Sequence, residues 1–196
     1  MNEVLLVKNI EQMLDENNIE YKQYYILKAL RKRQDGYKFS FNDHIRALVY
    51  SLLSNQRKWN QIEEHLIEID EIFYNYDKEK ILETSYEYFE IKLRAISCGN
   101  RNIHNQMLSL HENIRTFEKI EKEYGSLDSF VLSDTINNIA IKLSTSNSGY
   151  KLKQIGFALA LEYLRNVGLD VGKQDLHIRR ILSIKRLGYS KYEEAE

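Results

Sequence analysis

Residues 152–188 read LKQIGFALALEYLRNVGLDVGKQDLHIRRILSIKRLG. A short turn, Lys153-Gln154-Ile155-Gly156, opens an apolar helix rich in small residues that ends near Asn166. A loop carrying Gly168 and Gly172 follows, and Asp175 then stands at the start of a second amphipathic helix. The order is turn, helix, glycine loop, lone carboxylate, helix. It places one acid at a helix N-terminus, beside a turn whose backbone N–H groups can face an anion.

Outside this stretch the chain is consistent with a helical domain. Its 196 residues suit one domain or two closely packed subdomains, and the 43% hydrophobic content allows a sizeable core. No apolar run is long enough to span a bilayer, and the start, MNEVLLVKNIEQ, does not read as a signal peptide. A single cysteine, Cys98, excludes an internal disulfide framework and a four-cysteine iron–sulfur site. The expected setting is cytoplasmic. The net charge of −1 is uninformative, but its distribution is not: Lys142 to Lys191 holds ten Lys/Arg against three Asp/Glu, while residues 63–90 are strongly acidic. That asymmetry fits a molecule presenting one face to a polyanion, and equally two ordinary solvated surfaces.

There is no proline, and segments of period 3.6 recur where alternating strands do not, so the expected class is all-α. Helices are expected over 3–17 and 19–34, broken at Asn17-Asn18, with Arg31, Lys32 and Arg33 at the second C-terminus as dipole partners or as a phosphate-contacting cluster. Ser40 and Asp43 resemble a capping box for a helix buried through Phe41, Ile45, Leu48, Val49 and Leu52. That helix runs out at a polar tip, Ser54-Asn55-Gln56, with Trp59 just beyond. Further helices are expected at 60–71, 78–97, 103–124 (ended by Gly125), 127–132 and 134–143, with a turn at Cys98–Asn102 and a loop at STSNSGYK. The five histidines are dispersed, without metal-ligand spacing, and no P-loop or dinucleotide glycine pattern occurs.

The order of these motifs resembles the helix–hairpin–helix DNA glycosylase superfamily, the group that includes endonuclease III. That family carries a hairpin L-P-G-V-G-x-K-x-A, a glycine- and proline-rich loop, then V-D-T-H-V-x-R-V and R-L-G. Here stand Leu152-Lys153-Gln154-Ile155-Gly156-Phe157-Ala158-Leu159-Ala160, then Gln174-Asp175-Leu176-His177-Ile178-Arg179-Arg180-Ile181, then Arg186-Leu187-Gly188. Upstream, Leu52-Leu53-Ser54-Asn55-Gln56 is similar to the family's L-L-S-x-Q, whose Gln fills the gap left by an everted base. Gly99-Asn100-Arg101-Asn102-Ile103-His104 sits where the family has a G-F-Y-R-N-K-type turn. The likeness covers residues 40–190. Five features depart from it: the first hairpin glycine is Gln154, the lyase lysine is Ala158, the loop before Asp175 has glycines but no proline, the adenine-removing members' glutamate falls near Tyr50, and the C-terminal cysteine cluster is absent.

The resemblance implies two helical subdomains with a DNA-binding cleft. Residues 41–168 would form a helical barrel with plug loop and hairpin, and residues 1–40 plus 169–196 a second subdomain carrying the catalytic Asp175. It implies a monofunctional DNA N-glycosylase, acting through water because Ala158 cannot form a Schiff base. Asp175, also a good N-cap, would stabilise the positive sugar and orient the water. The expected DNA contacts are Gln56, Lys151, Lys153, Gln154, Ile155, Gly156, His177, Arg179 and Arg180, and the expected base pocket holds Tyr50 and Trp59. No metal, cofactor or iron–sulfur cluster is expected. The expected partner is duplex DNA with a damaged or modified base, bound by a nucleoid-associated monomer. An inactive DNA-binding protein of the same fold and a helical protein–protein adaptor are the alternatives.

Overall fold

The computed structural model describes residues 25–172, together with Lys8, Gln12, Met13 and residues 15–18. Among the described residues the chain is all-α: eleven α-helices and no strand. They are α1 (Tyr25–Gln34), α2 (Phe41–Leu53), α3 (Asn60–Glu63), α4 (Leu66–Ile72), α5 (Lys78–Glu83), α6 (Tyr86–Ala95), α7 (Ile103–Leu108), α8 (Leu110–Tyr124), α9 (Leu127–Val131), α10 (Ile136–Ser144) and α11 (Phe157–Asn166). No described helix is long and apolar enough to cross a membrane.

Helix α2 is the axis of the core. Ser40 caps it: its hydroxyl accepts from the Asp43 amide at 3.2 Å, and its own amide donates to Asp43 Oδ2 at 2.9 Å. This is the reciprocal box expected from sequence, with a shorter acid than usual. Ile45, Ala47, Leu48, Val49, Leu52 and Leu53 are then fully buried. Helix α11 packs against α2, α10 and α1. Side-chain caps start α5 (Asp77), α9 (Ser126) and α10 (Thr135), and Gly125, at φ 79°, ends α8 where expected. The break at Asn17-Asn18 is also present, with Asn18 at φ 54°.

Three long helices expected from periodicity are divided. The segment 60–71 breaks at Glu64-His65, where His65 leaves helical geometry at φ −114° and ψ 14°. The segment 78–97 breaks at Thr84-Ser85, both extended, with the Thr84 hydroxyl turned back to the Lys80 carbonyl at 2.7 Å. The segment 103–124 is interrupted at Ser109, whose hydroxyl bonds the Asn105 carbonyl at 2.7 Å. Ser and Thr offer the backbone such local bonds in competition with the helix, and an apolar stripe continues across the break unchanged.

A buried polar latch joins α1, α2, α9 and α11. Arg33 donates to Asp128 Oδ1 at 2.6 Å and to the Val167 carbonyl at 2.7 Å. Its guanidinium also stacks on Phe39, so Arg33 is no phosphate contact but a core ion pair. His44, fully buried, shares a 2.6 Å hydrogen bond between Nδ1 and the Tyr163 hydroxyl, while its Nε2 lies 3.7 Å from Asp128 Oδ1. After α11 the chain turns at Gly168 (φ 77°), where an added Cβ would sit 2.5 Å from the Ala29 carbonyl oxygen.

Two predictions follow from this packing. Gly168→Ala combines a left-handed backbone with a clash against α1, and costs at least about 2 kcal/mol in urea unfolding; a loss below a few tenths would contradict the close approach. Burial holds the His44 imidazole below its ordinary 6.5, so the unfolded chain takes up a proton that the fold resists. Stability then declines as pH falls below 6.5, and His44→Gln flattens that decline relative to wild type in denaturation series at successive pH values.

Candidate functional site

Three segments far apart in sequence meet at one surface: the tip after α2, the turn before α7, and the connection between α10 and α11. The first is anchored where α2 ends in the core: the Leu52 carbonyl takes the Asn55 amide at 3.2 Å and two side-chain amides besides. Its oxygen accepts from the Asn100 side-chain amide at 3.0 Å and from Gln106 at 3.0 Å. Asn100 also donates to Gln106 Oε1 at 3.0 Å and receives the Asn102 amide at 2.8 Å, which closes the turn. Arg57 donates across to the Gly99 carbonyl at 3.0 Å. Gln56 stands exposed at the tip with φ 56°. A hollow of about 390 Å³ opens there, lined by Gln56, Arg57, Gly99, Asn100 and Arg101.

The third segment joins by a side-chain bond. Asn102 donates to Gln154 Oε1 at 2.8 Å, linking the turn to the α10–α11 connection. Gln154 has φ 62°, in the left-handed region, at the position where the resembling family has glycine. Asn113 on α8, fully buried, holds the neighbouring residue at both ends: it accepts from the Lys153 amide at 2.6 Å and donates to the Lys153 carbonyl at 3.1 Å. Gly156 occupies the N-cap of α11 without a side-chain cap, and a Cβ placed there would meet nothing within 4 Å. The first amides of α11 thus have no side-chain cap.

The individual contact residues fare differently. Ile155 is buried and its amide bonds the Leu152 carbonyl at 3.3 Å, so its side chain is core and not a surface contact. The Lys151 ammonium folds back onto the Ile155 carbonyl, and partial burial lowers its pKa. Lys153 is exposed and pairs with Glu112 at 3.2 Å. Asp175, His177, Arg179 and Arg180 lie outside the described residues. Ala158 is half-buried on the first turn of α11, while Ala160 is fully buried.

Tyr50 and Trp59 belong to an aromatic cluster with Tyr25 and Tyr76. Tyr50 is buried, its ring 5.2 Å from Tyr25 and 5.8 Å from the half-buried Trp59. Its hydroxyl donates to Asp70 Oδ1 at 2.6 Å, and the Tyr76 hydroxyl donates to the same oxygen at 2.6 Å. Burial and the adjacent carboxylate push both phenols well above their ordinary range, so both remain protonated donors. Arg46 lies over the Tyr25 ring and pairs with Asp43 at 2.8 Å. Tyr76 reaches Asp70 through a rare backbone: Tyr74, Asn75 and Tyr76 have φ of 53°, 52° and 64°. Left-handed geometry costs an L residue roughly 1–2 kcal/mol each.

Sequence reading missed Asp70, Arg46 and Asn113 as site residues. Asp70 was hidden in an acidic run and Asn113 in the middle of a helix, and no local signal marks either. Arg57 and Arg101 could have been taken from the segments already quoted around Gln56 and Gly99. Among the described residues no group of His, Cys, Asp and Glu is arranged to hold a metal ion. Searches of protein-family models, curated proteins and solved structures find nothing that matches the chain.

Removing the Asn113 clamp tests whether the turn is held from below. Asn113→Ala leaves the Lys153 amide and carbonyl without their side-chain partner, at a cost of about 1 kcal/mol. Hydrogen exchange at the Lys153 amide should rise with it; unchanged protection there would contradict the clamp.

Proposed function

We propose that this chain binds duplex DNA with the surface formed by residues 54–57, 99–102 and 151–156, and excises a base from it as a monofunctional glycosylase. One observation carries the reading. The three segments that resemble the glycosylase family's plug, turn and hairpin lie side by side, tied through Arg57 to Gly99 and through Asn102 to Gln154. Accidental matches scattered through a helical adaptor have no reason to share a surface. The left-handed Gln154 supports it further, because the family's glycine position demands that conformation.

Each part has a chemical role in this reading. The uncapped start of α11, above Gly156, offers amide donors and a helix dipole to a phosphate without regard to sequence. Arg101 and Lys153 add charge along the strand. Gln56, exposed on a stiff left-handed tip, takes the space left when a nucleotide leaves the stack. The vacated stacking costs a few kcal/mol, which phosphate contacts on either side must offset. Asp175 would stabilise the positive sugar as the base departs and orient the attacking water. With Ala158 on the hairpin helix there is no amine at that position for covalent lyase chemistry.

The deciding experiment is base release from duplexes carrying oxidised, deaminated, alkylated and bulky modified bases. Wild type should release at least one, and Asp175→Asn should slow release by roughly 100-fold or more while duplex affinity survives. Binding should weaken with salt, each phosphate contributing a log–log slope of about −0.9. No release from any duplex, with binding intact, leaves a DNA-binding protein without chemistry. No duplex affinity even at low salt ends the DNA reading.

A further inference from the structure

We propose that the hollow beside Gln56 is a seat for a terminal phosphate, the phosphomonoester at a break in a nucleic-acid strand. The proposal rests on the DNA reading above for what brings a strand to this surface.

The first observation is the space itself. The hollow measures about 390 Å³, between the tip after α2 and the turn before α7, and Gln56, Arg57, Gly99, Asn100 and Arg101 line it. That lies within the roughly 300–1,000 Å³ of small-ligand pockets. An internal phosphodiester is tethered on both sides and has to lie across a surface. A terminal phosphate is tethered on one side only and can enter a hollow end-on.

The second observation is the balance of donors and acceptors. Two guanidinium groups line the hollow and no carboxylate does. The acceptors along its wall are engaged: the Gly99 carbonyl by Arg57 at 3.0 Å, and Asn100 Oδ1 by the Asn102 amide at 2.8 Å. The donors are not. Arg57 uses only Nη1, and its Nε and Nη2 have no acceptor among the described residues. Arg101 is exposed and makes no hydrogen bond or ion pair among them.

The third observation is preorganisation. Asn100 is buried, and its amide is bonded to the Leu52 carbonyl and to Gln106, each at 3.0 Å, so the floor is fixed. Arg57 is pinned to the turn by its bond to Gly99. One guanidinium therefore stands in place before a ligand arrives and loses little freedom on binding, while Arg101 is left to close over it.

These features select a ligand class. Free donors beside occupied acceptors call for a group that only accepts, and phosphate oxygens match the guanidinium fork. Each internal phosphate of a strand carries one negative charge. A phosphomonoester carries about −1.5 to −2 at pH 7, which two guanidinium groups balance.

The test compares the affinity of the full-length protein for gapped duplexes whose 5′ or 3′ end at the gap bears phosphate or hydroxyl. Phosphate at one of the two ends should tighten binding at least roughly tenfold over hydroxyl, the scale of one hydrogen bond to a charged group. The end that responds is the end that enters the hollow. Arg101→Gln should erase that ratio, with the fold checked by circular dichroism. Lys153→Gln removes the same charge outside the hollow, and should weaken binding to every duplex while leaving the ratio intact. Equal affinity for phosphate and hydroxyl ends in wild type, a ratio that survives Arg101→Gln, or one that falls as far in Lys153→Gln, overturns the proposal. Titration with thymidine 5′- and 3′-monophosphate against thymidine separates it from the DNA reading. A monophosphate that binds tighter than thymidine, through Arg101, in a protein without duplex affinity removes the DNA reading and leaves the phosphate seat standing. Duplex binding and base release without the phosphate ratio would do the reverse.

Discussion

The carbonyl of Leu52 is the constraint on which the arrangement depends. A helix that ends inside a core leaves backbone acceptors that water cannot reach, and an unmet acceptor costs about 1–3 kcal/mol. Helix α2 meets this at Leu52 with the Asn55 amide at 3.2 Å and with side-chain amides from elsewhere in the chain. Asn100 and Gln106 serve Leu52, and Asn166 reaches Ala47 at 3.4 Å and the Ser51 hydroxyl at 3.1 Å. These bonds tie the 99–102 turn and α11 to α2, so the shared surface is held from the core.

The turn at 153–156 shows the same logic applied to strain. Glycine would adopt the left-handed conformation of residue 154 without penalty, yet the chain has Gln154. Asn113 grips both backbone groups of Lys153 from α8, and Asn102 holds the Gln154 side chain from the neighbouring turn. A glycine would relax the backbone and forfeit the bond to Asn102. The departure from the family pattern thus joins two parts of the surface that the rest of the chain leaves separate.

Much of this was legible in the sequence and some could not be. Period-3.6 stripes give the helical class, Ser40 with Asp43 marks the start of α2, Gly125 the end of α8, and Gln154-Ile155-Gly156 a turn, because each is a local signal with a local cause. The breaks at 64–65, 84–85 and 109 are poorly visible, since the apolar stripe runs through them; at Thr84 and Ser109 only a hydroxyl competes with the helix, and at Glu64-His65 no local signal marks the break. Partners across long sequence separations leave no trace at all. Arg33 reads as a helix-end cation, and only the fold brings it to Asp128. Asp70 reads as one acid among many until Tyr50 and Tyr76 converge on it.

The charge on the surface also changes once partners are known. Read from sequence, Lys151 and Lys153 are phosphate contacts. In the fold, Lys151 is spent on the Ile155 carbonyl, Arg57 on the Gly99 carbonyl, and Lys153 shares its charge with Glu112. Arg57 keeps its charge but loses its reach, because its guanidinium is needed to hold the tip against the turn. Lys58 and Arg101 carry no ion pair among the described residues, and the amides at the start of α11 carry only partial charge. A face of this kind attracts a polyanion weakly at long range and strongly only where its rigid donors meet phosphate oxygens. Should the chain excise bases as proposed, such a face would let it leave undamaged DNA readily and hold on where a nucleotide can be drawn out of the stack, a task for which fixed donors serve better than a dense field of free lysines.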